Sequence, residues 1–173
     1  MHAHTFIQLL AVAGTAAAAT LTRRECGEKA DQFCFGRDGG TPSQKIDVED
    51  LQYVAAFLRN VGKNAAGGAG AFYTMPSGVE CEEWAIEVPG AGTVLALAKH
   101  INPRTLSSVL LTDIADTIDG GSNTNKAKSL LGCGTGGGWL GVATNATDPA
   151  YNTATYKASK AKPQDIIIKI VHA

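Results

Sequence analysis

Asp165-Ile166-Ile167-Ile168-Lys169-Ile170-Val171, near the end of the chain, is the stretch on which the fold turns. It is almost wholly β-branched, and branched side chains are stiff at χ1 and pack well on a pleated surface. A run this dense in Ile and Val suits a strand covered on both faces, which places it centrally in a sheet. Its partners are sought upstream. Trp139-Leu140-Gly141-Val142-Ala143 reads as a strand, and Tyr151 to Ala158, rich in Thr and Tyr, as another. Glu82 to Val88 alternates, with Trp84, Ile86 and Val88 against Glu83, Ala85 and Glu87, so one face is buried and the other wet. Pro89-Gly90-Ala91-Gly92 is turn chemistry, and Thr93 to Ala98 returns as the hairpin partner. Ala71 to Thr74 is a short further strand.

Two helices frame these strands. Asp47 can N-cap the first, in which Val48, Leu51, Val54, Ala55, Leu58 and Val61 recur at helical spacing up to a stop at Gly62. Asn102-Pro103 suits the start of the second, with Asn as cap and Pro at the first helical position. Its apolar face is Leu106, Val109, Leu110, Ile114 and Ile118. Asp113, Asp116 and Asp119 form a wet stripe, and Gly120-Gly121 ends the helix. The expected fold is α+β: an antiparallel sheet of about four to six strands with two helices packed on one face, stabilised by disulfides.

The N-terminus reads as an export leader. Phe6 to Val12 opens an apolar run closed by the small residues Ala16 to Ala19. Residues 1–19 are expected to be a signal peptide, and residues 20–24 a short pro-segment ending in Arg23-Arg24, a dibasic pair that suits a processing protease. Residues 25–173 are then one secreted domain. With 173 residues, 45% of them hydrophobic, the chain can bury a core of its own. A formal net charge of -1 excludes nucleic-acid binding by a general basic field.

Four cysteines lie beyond the leader: Cys26, Cys34, Cys81 and Cys133. An even count in an exported chain implies two disulfides, and the close C-x-x-C pairs that zinc favours are absent. Three pairings are open. The one preferred on loop length joins Cys26 to Cys34 and Cys81 to Cys133. Asn145-Ala146-Thr147 is a glycosylation sequon beside Asp148-Pro149, in an expected exposed turn.

Catalytic signals are sparse. Gly132 to Gly138 contains G-x-G-x-x-G, but a strand-like segment follows where a phosphate site needs a helix. No cofactor or metal is expected. His100 is the sole histidine away from the termini, and no G-x-S-x-G elbow occurs. Glu80 and Glu82 share a face if the strand reaches them, though a glycosidase also needs an aromatic groove and this chain has 2 Trp. Lys157, Lys160 and Lys162 form a small basic cluster suited to an anionic surface, or simply a solvated loop.

The Ala-rich leader, the step from Arg23-Arg24 into Glu25-Cys26-Gly27, the few even cysteines and the helix–hairpin–helix–strand order resemble fungal small secreted proteins of the effector and killer-toxin-like class. That resemblance implies extracellular action on host or competitor cells, by binding a protein or cell-surface component and without catalysis. Glu82-Glu83-Trp84-Ala85-Ile86 resembles the Glu-Trp-Pro-Ile strand of small secreted fungal ribonucleases. This second resemblance implies an alternative, a ribonuclease-like hydrolase with Glu83 and His100 as its catalytic pair or a relative that has lost the activity. A toxin acting on membranes or channels is a third reading.

Overall fold

The computed structural model describes residues 26–78, 80–122 and 126–173. The leader and the dibasic pair lie outside these residues. Seven strands and three α-helices occur among the described residues: β1 (Phe33–Cys34), α1 (Val48–Asn64), β2 (Phe72–Met75), β3 (Glu83–Ala85), β4 (Val94–His100), β5 (Ser107–Leu110), α2 (Leu111–Asp119), β6 (Gly138–Gly141), α3 (Ala154–Ser159) and β7 (Ile166–His172). Five strands form an antiparallel sheet in the order β1-β6-β7-β4-β3, and β2 and β5 form a separate antiparallel ladder. The α+β, disulfide-linked architecture is as the sequence implies.

The Ile-rich stretch is β7, central and paired on both sides. Ile166, Ile168 and Ile170 point into the main core, where they meet Leu51, Val54 and Leu58 of α1 and Ile114 and Ile118 of α2. Both helices therefore pack on one face. The α1 cap is built as expected: the Asp47 carboxylate accepts from the Glu49 N–H at 2.7 Å. Gly62 is not the stop. The helix runs on to Asn64, and a Cβ at Gly62 would lie 3.2 Å from the Leu111 Cβ, so glycine there lets α1 and α2 approach closely.

Three further expectations are corrected. The second helix begins at Leu111, because Ser107 to Leu110 pair residue for residue with Phe72 to Met75. The cross-strand partner, distant in sequence, overrides local helix preference. Asn102 still caps, accepting from the Arg104 N–H at 3.2 Å, but only for an isolated turn. The Tyr151–Ala158 segment is a 3₁₀ turn leading into α3, whose Thr153 cap accepts from the Tyr156 N–H. The aspartate stripe is split. Asp116 and Asp119 hold Arg59, at 2.8 and 2.7 Å, whereas Asp113 is buried. Burial raises the Asp113 pKa, against the lowering effect of the Tyr151 hydroxyl at 2.6 Å and the Asn145 N–H at 3.2 Å. A raised carboxylate adds stability at low pH that is lost as pH rises through its folded pKa.

The disulfides join Cys26 to Cys81 and Cys34 to Cys133, with Cα–Cα distances of 5.2 and 5.1 Å. This corrects the short-loop pairing. Cys34 lies on β1, one edge of the sheet, and Cys133 in the turns leading to β6. Cys81 precedes β3, the other edge, and the Cys26 N–H donates to the Ile101 carbonyl just beyond β4. The edge strands have 2 and 3 residues, too short to hold themselves by backbone pairing, and each has a cross-link beside it.

The Gly-rich run has a structural purpose at this edge. A Cβ on Gly136 would lie 2.5 Å from the Phe35 carbonyl oxygen, one on Gly137 2.5 Å from that of Ile170, and one on Gly138 on top of that of Phe33. The run packs backbone against backbone where β1, β6 and β7 converge. As expected, no helix follows it: β6 begins at Gly138.

Candidate interaction face

A strand shows alternate residues to opposite faces. The inner face of the five-stranded sheet carries Ala96, Ala98 and His100 of β4 and Ile166, Ile168 and Ile170 of β7. The outer face carries the intervening residues. Its central row, read across the paired strands, is Phe33, Trp139, Lys169, Leu97 and Ala85. The next row is Gly141, Ile167, Lys99 and Glu83, and the row on the far side pairs Val171 with Leu95.

Among the described residues, no helix contributes to this face. One end is crossed by the segment 26–32: the Gly141 N–H donates to the Ala30 carbonyl at 2.8 Å, and a Cβ on Gly141 would strike Ala30. This strap seals Ile167, which is fully buried. It also delivers Glu28 between the two lysines. Lys169 Nζ lies 2.7 Å from Glu83 Oε1 and 3.3 Å from Glu28 Oε1, and Lys99 pairs with Glu28 and, at 3.8 Å, with Glu83. Two carboxylates and two ammoniums thus neutralise one another. Beyond the strap, Leu95, Leu97, Val171 and Trp139 are half-buried and Ala85 is exposed. Phe33 stacks on Trp139 with ring centroids 4.1 Å apart and planes 8° from parallel, and Phe35 braces Trp139 edge-on at 5.7 Å.

The four charged side chains are 13–31% exposed, which sets them apart from ordinary surface pairs. Burial opposes the Glu28 carboxylate, and the combined pull of Lys99 and Lys169 outweighs it, so its pKa lies below the usual 4.5. Burial likewise opposes the Lys169 ammonium and is outweighed by Glu83 and Glu28, so its pKa is raised. A depressed carboxylate adds stability above its unfolded pKa, and that stability is lost as pH falls through the folded value. Lys169→Met is therefore expected to cost about 1–3 kcal/mol at pH 7, between the ~0–1 kcal/mol of an exposed pair and the ~3–5 kcal/mol of breaking a fully buried one. It should also shift the acid-unfolding midpoint upward, because Glu28 then protonates at higher pH. Thermal melts between pH 2 and 7 measure both effects.

The proposed catalytic pair is not brought together. Glu83 sits opposite Lys99 on the outer face, held by Lys99 and Lys169, while His100 follows Lys99 and so points inward. His100 is fully buried, its Nε2 is 3.1 Å from the Pro76 carbonyl, and it pairs with Ile166 across the strands. Glu82 takes a long contact, 3.4 Å, from the Trp84 indole N–H. The regular strand begins only at Glu83, so Glu80 and Glu82 do not share a strand face. Lys157, Lys160 and Lys162 are exposed around the end of α3. Asn145 is exposed, and its side-chain oxygen accepts from the Thr147 hydroxyl at 2.7 Å.

Sequence reading overlooked Glu28, Lys99, Lys169, Phe33 and Trp139 as one group. One signal was present. Lys169 interrupts an otherwise apolar strand, which marks the face that the helices do not cover. No membrane-spanning helix, long and apolar enough, occurs among the described residues. No family model, curated protein or solved structure matches this chain.

Proposed function

We propose that this chain is a secreted, disulfide-stapled interaction protein that engages a protein or surface component of another cell, without turnover, through the outer face of its five-stranded sheet. The carrying observation is the row Phe33–Trp139–Lys169–Leu97–Ala85, half-buried apart from the exposed Ala85 and packed under no helix among the described residues. Aromatic and aliphatic side chains there flank charges that are already paired. Such a surface can be desolvated by a partner without stranding a charge, and a rigid aromatic is the usual anchor of a binding hot spot. The same pairing argues against acid–base chemistry at Glu83, since both neighbouring ammoniums hold it. Export is supported by the leader pattern and by the pairing of all four cysteines.

The test is Leu97→Arg in the labelled mature protein. Saturable binding to target cells is expected to fall at least ~10-fold, the size of a central hot-spot loss. The melting temperature should stay within a few degrees, and Lys157→Glu, on the distant α3, should bind as the parent does. Unchanged binding by Leu97→Arg, or turnover of RNA, glycan or peptide by the parent, would refute the reading. Dye release from treated cells would favour the membrane-acting alternative.

A further inference from the structure

The β2–β5 ladder has two faces. Tyr73, Met75 and Val109 belong to the main core, while Phe72 and Leu110 belong to a second, smaller core with Tyr151, Tyr156 and Ala161. Between this second face and α3 lies a half-open pocket of about 130 Å³. Cavities of about 150 Å³ lined by apolar side chains hold benzene. This pocket is slightly smaller but half-open, so one six-membered ring can seat in it with a short substituent at the mouth, and a nucleotide is too large.

The lining selects further. Phe72 and Tyr156 form one wall, with ring centroids 4.9 Å apart, and Leu106 and Ala161 add aliphatic surface. No charged side chain lines the pocket, so a charged ligand would lose its hydration without recovering a partner. The polar groups at the wall are hydroxyls. Thr74 Oγ1 and Ser108 Oγ lie 2.8 Å apart, directly across the ladder, and one proton serves the bond between them. The pair retains one further donor and unused lone pairs for a guest. The Tyr156 hydroxyl is committed to the Ser108 carbonyl at 2.8 Å, so Tyr156 offers its ring alone. That bond anchors Tyr156 to the ladder, and Tyr151, whose hydroxyl donates to Asp113 and accepts the Leu110 N–H, braces the Tyr156 ring edge-on at 5.1 Å.

We infer that this pocket is a binding site for a small neutral ring alcohol, of the size of benzyl alcohol, with its ring on Phe72 and Tyr156 and its hydroxyl on the Thr74–Ser108 pair. The site is separate from the sheet face proposed for partner binding, and either assignment can stand without the other.

The experiment is an NMR titration of the mature protein with benzyl alcohol, toluene and benzoate. Benzyl alcohol is expected to produce saturable shifts confined to the pocket, with a dissociation constant on the order of 0.1–1 mM for so few atoms. Toluene, lacking the hydroxyl, should bind about 3–10-fold more weakly, and benzoate should not bind at all. Thr155→Trp, at an exposed α3 position on the rim, should abolish binding without disturbing the core. Thr74→Val combined with Ser108→Ala, which removes both hydroxyls, should bring benzyl alcohol and toluene to similar affinity. Non-saturable shifts, shifts elsewhere on the molecule, benzoate binding as well as benzyl alcohol, or undiminished binding by a folded Thr155→Trp protein would each overturn the assignment.

Discussion

Gly138→Ala is expected to destabilise the domain by about 4 kcal/mol or more, placing it among the exceptional single substitutions. Residue 138 has φ +154, and the added methyl would occupy the position of the Phe33 carbonyl oxygen, with the Cys34 Cα 3.1 Å away. The obstacle is backbone, which cannot rotate aside as a side-chain tip can. The two-residue β1 would have to leave β6, taking with it the Phe33 ring that stacks on Trp139. Urea unfolding should show the loss in the midpoint, and the near-ultraviolet signal of Trp139 should weaken even in the folded protein. Gly40→Ala is the control. It has open space around it and an ordinary φ, so its stability should stay within about 0.5 kcal/mol of the parent. A Gly138→Ala protein as stable as that control would show that the glycine run is not packed against β1.

Removal of the Cys34–Cys133 bridge by a double Cys→Ala change should have the next largest effect. The bond spans 99 residues of sequence, and loop-closure entropy for a loop of that length corresponds to about 4–5 kcal/mol. Measured losses for native bridges run to about 2–5 kcal/mol, so a fall in melting temperature of roughly 10 °C is expected for a domain of this size. The position sharpens the prediction. β1 has one neighbour and two residues, so without its bridge this edge should exchange its amide hydrogens well before β4 and β7 do. Cys26–Cys81, spanning 55 residues, should cost slightly less by the same relation and should loosen the strap and β3 instead. Hydrogen exchange on the two double variants distinguishes these outcomes. If both mutants lose protection uniformly, the bridges do not act as separate edge clamps.

The face proposed for binding depends on both features, because Phe33 and Trp139 meet at the glycine-rich edge and Glu28 arrives on the strap that Cys26 anchors. Little of that was legible beforehand. Lys169 marks a change of environment within β7, but nothing local ties it to Glu28, which lies 141 residues away in sequence. In the sequence, Glu83 and His100 are paired by the resemblance of residues 82–86 to a ribonuclease strand and by His100 being the sole histidine away from the termini. Strand alternation, applied to Lys99 and His100 as consecutive residues, puts the two on opposite faces once Glu83 is known to stand opposite Lys99. That register is a tertiary fact.

The stretches whose own chemistry is one-sided were readable without coordinates. β7 declared itself through its Ile density, α1 through its apolar spacing and Asp47 cap, and the β3–β4 hairpin through alternation around Pro89-Gly90. In each case local preference and burial favour the same conformation. Where they compete, only the assembled molecule decides. Ser107 to Leu110 could continue a helix, but they become a strand because β2 supplies a partner ladder. Tyr151 to Ser159 have strand-like composition, but they coil because the Tyr151 and Tyr156 hydroxyls reach buried partners from a helical turn. The cysteine pairing follows the same logic. Chain proximity favours Cys26 with Cys34, but the fold carries those two residues to opposite edges of one sheet, and a disulfide can form only where the Cα atoms come within about 7 Å.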